Sequence, residues 1–170
     1  MTTIIAIVIA IIVLSYTISK RNRFESLKKG IRSEGANIGI YVDKRSACLN
    51  DLLDIADVNY RNEVEGIKSL TEKDQLNQLM FLGEKYPELK TTAAYAEQMR
   101  QASILQSDIA SARVLLNGNI QNYNDEISQF PALIVAKIFG YKEEKFIDED
   151  SIEENKTLKK AEVDFSKYRR

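Results

Sequence analysis

The stretch ASILQSDIASARVLLNGNIQNYNDEISQF, residues 102–130, decides the fold of this chain. Its apolar residues recur with the heptad period of an amphipathic helix. They form two interleaved rows: Ala102, Ile109, Leu116, Tyr123 and Phe130 in one, and Leu105, Ala112, Ile120 and Ile127 in the other. Asn117-Gly118 is also the commonest two-residue hairpin turn, but the flanking residues lack strand alternation. We therefore predict one long helix from about Ala93 to Gln129, with a local cost of about 1 kcal/mol for the glycine.

The N-terminal end carries a candidate membrane span. Residues 4–14 form an unbroken apolar run, and no charged residue occurs from Thr2 to Ser19. As a helix, that window reaches about 27 Å, close to the roughly 30 Å hydrocarbon core of a bilayer. A cleaved signal peptide is the alternative, but the basic region that it needs before the apolar run is missing. We expect a retained anchor over residues 1–19. Its apolar surface includes Ile4, Ile5, Val8, Ile11 and Leu14.

Basic residues crowd one flank of this span, and the other flank has none. They are Lys20, Arg21, Arg23, Lys28, Lys29 and Arg32. Because Lys and Arg are retained in the cytoplasm, we expect the N-terminus outside and the rest of the chain inside. The lone cysteine agrees with a reducing compartment. The same cluster is also placed to attract anionic lipid headgroups, at about 1 kcal/mol per charge.

Composition removes most catalytic and cofactor chemistry. The 170 residues include no His and one Cys, which excludes a zinc site, a Ser-His-Asp triad, a Cys-His pair and an internal disulfide. The net charge of −1 gives no footprint for nucleic acid. Phosphate-binding loops, EF-hands and nucleotide fingerprints are missing too. We therefore predict no catalytic, metal or cofactor residue, no enzymatic activity and no nucleic-acid partner. Cys48, among leucines, is expected to be a buried apolar residue.

Helical spacing continues from Phe24 onward. No proline occurs before Pro87, so the membrane helix is predicted to run unbroken to about Gly66. Its apolar positions are Phe24, Leu27, Ile31, Ile38, Val42, Leu49, Leu52, Leu53 and Ala56. Gly35 and Gly39 form a small-x-x-x-small pair beyond the span. This pair predicts close packing against another helix of the same domain, with homodimerisation as the alternative.

Shorter helices are predicted on either side of the long one. The first covers residues 70–84, opens with the capping box of Thr71 and Asp74, and has Leu76, Leu79, Met80 and Leu82 on one face. Pro87 suits the first turn of the next element. After the long helix, Pro131 begins a short apolar helix that ends at Phe139, where Gly140 is placed to be the C-terminal cap.

These elements predict an all-α protein. The expected domains are a transmembrane anchor over residues 1–19, a cytoplasmic antiparallel helical bundle over residues 20–146, and a tail over residues 147–170. Short connections favour antiparallel neighbours, so the long helix should lie antiparallel to the helix over residues 24–66. In the tail an acidic run precedes basic residues and few apolar ones remain. A solvated, disordered tail is expected, with a docking segment as the alternative.

Two motifs resemble a known family. Tyr86-Pro87-Glu88-Leu89-Lys90 looks like its Tyr-Pro-Glu-Leu-Lys signature. About twenty residues later come further landmarks in the family's order and spacing: Ile109-Ala110-Ser111-Ala112-Arg113, Asn117, Tyr123-Asn124, Phe130-Pro131 and Gly140. In these positions, from residue 1 to about 146, the chain resembles the LemA family. Gly35, Gly39, Asn50 and Leu116 depart from residues that the family commonly has, as in a diverged member.

This resemblance implies a bacterial, single-pass inner-membrane protein with a cytoplasmic helical bundle. Family members include proteins similar to a magnetosome-membrane formation factor. Polar residues on the long helix, including Asp108, Arg113, Tyr123, Asn124 and Asp125, are expected to satisfy one another between helices, with a ligand or partner site as the alternative. We expect a non-enzymatic scaffold that presents its helices to an unknown protein partner. The alternative is a membrane-organising protein that acts by self-association and contact with anionic lipid.

Overall fold

The computed structural model describes residues 1–148, and every regular element in that range is a helix. In chain order these are α1 (Thr2–Lys68), α2 (Glu72–Lys85), α3 (Pro87–Lys90), α4 (Ala93–Ser128) and α5 (Ala132–Phe139). The all-α prediction is therefore confirmed. The tail expected over residues 147–170 lies outside the described residues from residue 149 onward.

α1 continues without interruption from the candidate span to Lys68, as predicted, apart from non-helical backbone at Tyr60 (φ −131°, ψ 37°). An 18-residue window of α1 near the N-terminus is long and apolar enough to cross a membrane, and none of it is buried. An exposed apolar surface of this length and continuity suits the hydrocarbon core of a bilayer. The chain thus carries a candidate membrane helix that leads into further helices.

The helices form two compact units. Unit 1 contains Met1–Ala36 and Arg113–Ile147. In its core, Phe24 of α1 packs with Tyr123 and Ile127 of α4 and with Ala132, Val135 and Ala136 of α5. Lys20 Nζ lies 2.6 Å from Glu126 Oε1, while a Cβ on Gly30 would lie 3.9 Å from Asn119 Nδ2. Residue numbers rise along α1 as they fall along α4, so the two helices are antiparallel in unit 1, as predicted.

Among the described residues, unit 2 contains Asn37–Ala112 and Asp148. Its core joins α1, α2, α3 and the first part of α4 through buried residues: Cys48, Leu49, Leu52, Leu53, Ala56, Val64, Ile67, Leu76, Leu79, Leu82, Leu89, Tyr95 and Ala102. One close approach fixes the α2–α4 contact. A Cβ on Gly83 would come within 3.0 Å of the Tyr95 ring, so only glycine fits there without movement. The Tyr95 hydroxyl donates to the Leu79 carbonyl.

Capping residues and a proline mark the helix boundaries where the sequence predicted them. Thr71 caps α2, because its Oγ1 accepts from the Asp74 backbone N–H. Pro87 occupies the first turn of α3. Gly140 ends α5 in the left-handed conformation (φ 72°), which glycine adopts without strain. α4 runs straight through Asn117-Gly118, so the hairpin alternative does not occur.

Three packing predictions are wrong. Phe130 does not extend the buried row of α4, because the helix ends at Ser128 and the ring is 80% exposed. Met80 is exposed, since the buried residues of α2 are Leu76, Leu79, Leu82 and Gly83. A Cβ on Gly35 or Gly39 would meet no atom within 4 Å, so this pair does not serve close helix packing among the described residues.

Candidate functional site

Two asparagines of α4 bind the backbone of the segment that follows α5. We call Asn117 and Asn124 the asparagine track and residues 141–147 the C-terminal segment. Asn124 Nδ2 donates to the Glu144 carbonyl at 2.9 Å, and its Oδ1 accepts from the Glu144 N–H at 2.9 Å. Asn117 does the same with the carbonyl (3.0 Å) and N–H (2.9 Å) of Ile147. Each amide thus satisfies both main-chain groups of one residue.

The spacing of these contacts requires an extended segment. Asn117 and Asn124 are seven residues apart on α4, or about 10 Å at 1.5 Å per residue. Their partners Glu144 and Ile147 are three residues apart, which spans that distance only when the chain is almost fully extended. Residue numbers rise along the segment as they fall along α4. The asparagine track therefore holds an extended peptide antiparallel to the helix.

Neighbouring contacts fasten the start of this segment. The Tyr123 hydroxyl donates to the Lys142 carbonyl at 3.0 Å, and burial raises the pKa of Tyr123 to about 12, so it keeps its proton at neutral pH. The Tyr141 hydroxyl donates to Glu25 of α1 at 2.7 Å. Lys28 Nζ lies 3.3 Å from Glu144 Oε1. The expectation that the polar residues of α4 satisfy one another between helices therefore does not hold for Tyr123 and Asn124, which bond to the backbone of the C-terminal segment.

The two asparagines contact only main-chain groups of the segment, whereas Glu25 and Lys28 of α1 contact its Tyr141 and Glu144 side chains. Paired N–H and C=O contacts along an extended peptide are the source of affinity wherever proteins bind segments in this conformation. An exposed apolar residue, Val114, stands one turn before Asn117 on α4 and is 70% exposed. The surface can therefore hold a protein segment in an extended conformation. The asparagine track itself contains no acid, base or nucleophile of the kind that catalysis needs.

Replacing Asn124 with alanine should release the C-terminal segment. The substitution removes two hydrogen bonds, each worth about 1 kcal/mol, and exposes the Glu144 N–H. Hydrogen exchange of the peptide that covers residues 141–147 should become faster, while exchange in α2 stays unchanged. Asn122→Ala, at an exposed position on the same helix, is the matched control. Equal exchange rates in both variants would contradict the role of the track.

A buried arginine in unit 2 was missed by sequence reasoning. Arg45 of α1 is 2% exposed. Its Nη2 lies 3.1 Å from Glu72 Oε2 in the first turn of α2, and its Nη1 donates to Gln106 of α4. Ser46 Oγ also donates to Glu72, at 2.6 Å. A signal existed, because Arg45 stands three residues after Val42 and four before Leu49, on the apolar face of α1.

The Tyr-Pro-Glu-Leu-Lys motif fastens the end of α1. Tyr86 stacks on Tyr60 with ring centroids 4.0 Å apart, beside the non-helical backbone of α1. The Tyr60 hydroxyl donates to Glu88 at 2.8 Å, and the Tyr86 hydroxyl donates to Glu63 at 2.7 Å. The Tyr86 hydrogen bond is the main cause that lowers the pKa of Glu63. Leu89 is buried in the unit 2 core, so the motif has a structural role and holds the chain after α2 against the end of α1.

The remaining predicted residues fall into two groups. On α4, Ile109 and Ala112 are buried, and Arg113 is half-buried one turn before Asn117, whereas Pro131 and Phe130 are exposed between α4 and α5. In the span, the apolar residues predicted to face lipid are all exposed: Ile4, Ile5, Val8, Ile11 and Leu14.

The basic cluster is partly engaged within unit 1. Lys20 and Lys28 pair with Glu126 and Glu144, and the Arg21 guanidinium lies 5.2 Å from the Phe139 ring centroid. The other members of the cluster, Arg23, Lys29 and Arg32, are exposed.

Metal and thiol chemistry receive no support from the described part of the chain. Among residues 1–148 no group of three or more His, Cys, Asp or Glu side chains is placed to hold a metal ion. Cys48 is buried in the unit 2 core, as predicted, and burial raises the pKa of its thiol. A buried thiol with a raised pKa is a poor nucleophile.

Comparison with known proteins gives one match. The model of the LemA family matches residues 37–165, which is most of the chain. No curated protein and no solved structure matches the chain.

Proposed function

Because the chain belongs to the LemA family, we propose that this membrane-associated helical protein is a non-enzymatic scaffold that docks extended protein segments on its helices. We further propose that it is anchored in a bacterial inner membrane by one span, with α2 to α5 in the cytoplasm. The basic residues after the span support this orientation. The exposed apolar surface of α1 before Lys20 supports the anchoring.

The asparagine track is the observation that carries the scaffold proposal. α4 already binds an extended segment through four hydrogen bonds, which join the side-chain amides of Asn117 and Asn124 to main-chain groups of the segment. Since these contacts do not depend on the segment's side chains, a partner segment of similar conformation can make the same bonds when residues 144–147 leave. The scaffold function then needs exchange between the chain's own segment and the partner's.

Photo-crosslinking in living cells tests this proposal. A photoreactive amino acid at Val114, exposed beside the track, should capture one discrete protein. The matched probe replaces Val58, which is 79% exposed on α1 in unit 2. Capture at Val114 should decrease when Asn117 and Asn124 are both replaced by alanine, because the main chain of the partner then loses its hydrogen bonds to the two asparagine side chains. Capture at Val58 should not depend on the track.

Two results would count against the scaffold. Capture that is indifferent to the double asparagine variant would show that the track does not bind the partner. Capture of only the chain itself and lipid would favour the second candidate function, membrane organisation by self-association. The exposed basic residues Arg23, Lys29 and Arg32 favour that candidate, because they are placed for anionic headgroups.

A further inference from the structure

One face of α5 is apolar and uncovered. Ile134 and Ile138 lie one turn apart on α5 and are 51% and 71% exposed, and Phe130, two residues before the helix, is 80% exposed. The opposite face packs Ala132, Val135 and Ala136 into the unit 1 core. Lys137 is the one charged residue of this helix. A helix that is apolar on its outer face as well as its inner face requires an apolar environment on both sides.

The position of α5 relative to the candidate span follows from contacts within unit 1. The Lys20–Glu126 pair places Glu126 of α4 level with the residue that follows the span. α4 is antiparallel to α1, so the chain after Glu126 continues toward the span. Tyr16, about 6 Å below Lys20 along α1, packs against the core to which α5 contributes. At the end of α5, Phe139 lies against Arg21. The short helix therefore lies beside the part of α1 that follows the span, at the level of Arg21 and Phe24.

We propose that α5 is a second membrane contact, lying in the headgroup region with Ile134, Ile138 and the preceding Phe130 in the acyl-chain boundary. The proposal rests on the membrane anchoring proposed above. If Thr2–Ser19 crosses the bilayer, the outer face of α5 stands at the level where hydrocarbon gives way to headgroups. Apolar faces of interfacial helices enter that boundary by about 5–10 Å.

The surrounding side chains suit this depth. Tyr16 is an aromatic residue with a polar tip at the end of the apolar run, a residue type enriched at membrane interfaces. Lys137, beside the apolar face, has a long stem that lets its ammonium reach the headgroups. Lipid is favoured over a protein partner as the occupant because the Lys20–Glu126 and Arg21–Phe139 contacts place α5 beside the end of the exposed apolar span.

Tryptophan fluorescence in vesicles tests the proposal, since the chain has no tryptophan of its own. The full-length protein is reconstituted in phosphatidylcholine and phosphatidylglycerol vesicles, with or without lipids brominated either near the headgroup end or near the middle of the acyl chain. Three single variants are compared: Ile138→Trp on the α5 face, Ile9→Trp in the span, and Val114→Trp as the matched control. Val114 is equally exposed, but lies about 18 Å along α4 from Glu126.

We expect brominated lipid to quench Ile138→Trp and Ile9→Trp and to leave Val114→Trp unchanged. If Ile9→Trp is quenched and Ile138→Trp behaves like Val114→Trp, the span stands and the interfacial role of α5 is overturned. If Ile9→Trp is not quenched, the membrane anchoring itself is wrong. A blue-shifted Ile138→Trp emission that brominated lipid does not quench would mean that a second copy of the chain covers the face, which also overturns the proposal.

Discussion

Replacing Arg45 with alanine should lower the free energy of unfolding by about 3 kcal/mol, near the lower end of the range for breaking a buried ion pair. Arg45 ties α1 to α2 and α4 within unit 2 through Glu72 and Gln106. Its loss leaves a half-buried carboxylate without its main counter-ion and a cavity where the guanidinium was. The measurement is urea unfolding of the purified full-length chain in detergent, followed by circular dichroism.

Two further variants separate the ion pair from general sensitivity of α1. Arg61→Ala removes an exposed arginine that pairs with Asp57 on the same helix, and it should change stability by less than about 0.5 kcal/mol. Replacing Arg45 and Glu72 together by methionine should cost less than Arg45→Ala, because no unpaired charge remains. An Arg45→Ala effect no larger than that of Arg61→Ala would refute the role of this contact.

Introducing a charge at Ile109 should be similarly severe. Ile109 is 5% exposed on α4 and belongs to the hydrophobic core. Ile109→Asp therefore buries a carboxylate at a position that is apolar in the parent chain. The expected loss is about 3–5 kcal/mol. Val114→Asp is the matched control on the same helix, and it should leave the stability nearly unchanged because Val114 is exposed. A melting temperature of Ile109→Asp equal to that of the parent chain would contradict the burial of this position.

Local patterns were sufficient to predict the helices. The predicted bounds of the long helix, residues 93–129, differ by one residue from Ala93–Ser128. The Thr71 cap and the Gly140 cap also occur as predicted. These features depend on residues within one or two turns of each other, so hydrophobic period and capping chemistry determine them.

Contacts between distant segments could not be predicted in the same way. The sequence singled out Asn117 and Asn124, but nothing near them indicates that their partners are the backbone groups of Glu144 and Ile147. Gly83 was not recognised as a close approach, because the Tyr95 ring that requires it comes from another helix. Such pairings become visible only when the tertiary arrangement is known.

Periodicity also gave wrong packing at the margins of helices. Phe130 continues the heptad row in the sequence, yet α4 ends two residues earlier, at Ser128, and the Phe130 side chain is exposed. Arg45 shows the opposite case, since its position follows the apolar period of α1 and is buried, yet sequence reasoning missed it. The buried position is tolerated because Glu72 and Gln106 meet the guanidinium there.

Cysteine labelling tests the central claim, membrane anchoring with the helices in the cytoplasm. Gln78 is exposed on α2, and the parent chain gives the background because its one cysteine, Cys48, is buried. In intact spheroplasts a membrane-impermeant maleimide should leave Gln78→Cys unlabelled, and it should label this residue fully after permeabilisation, with the protein in the carbonate-resistant membrane fraction. Labelling of intact spheroplasts would contradict the orientation, and release of the protein by carbonate would contradict the anchor.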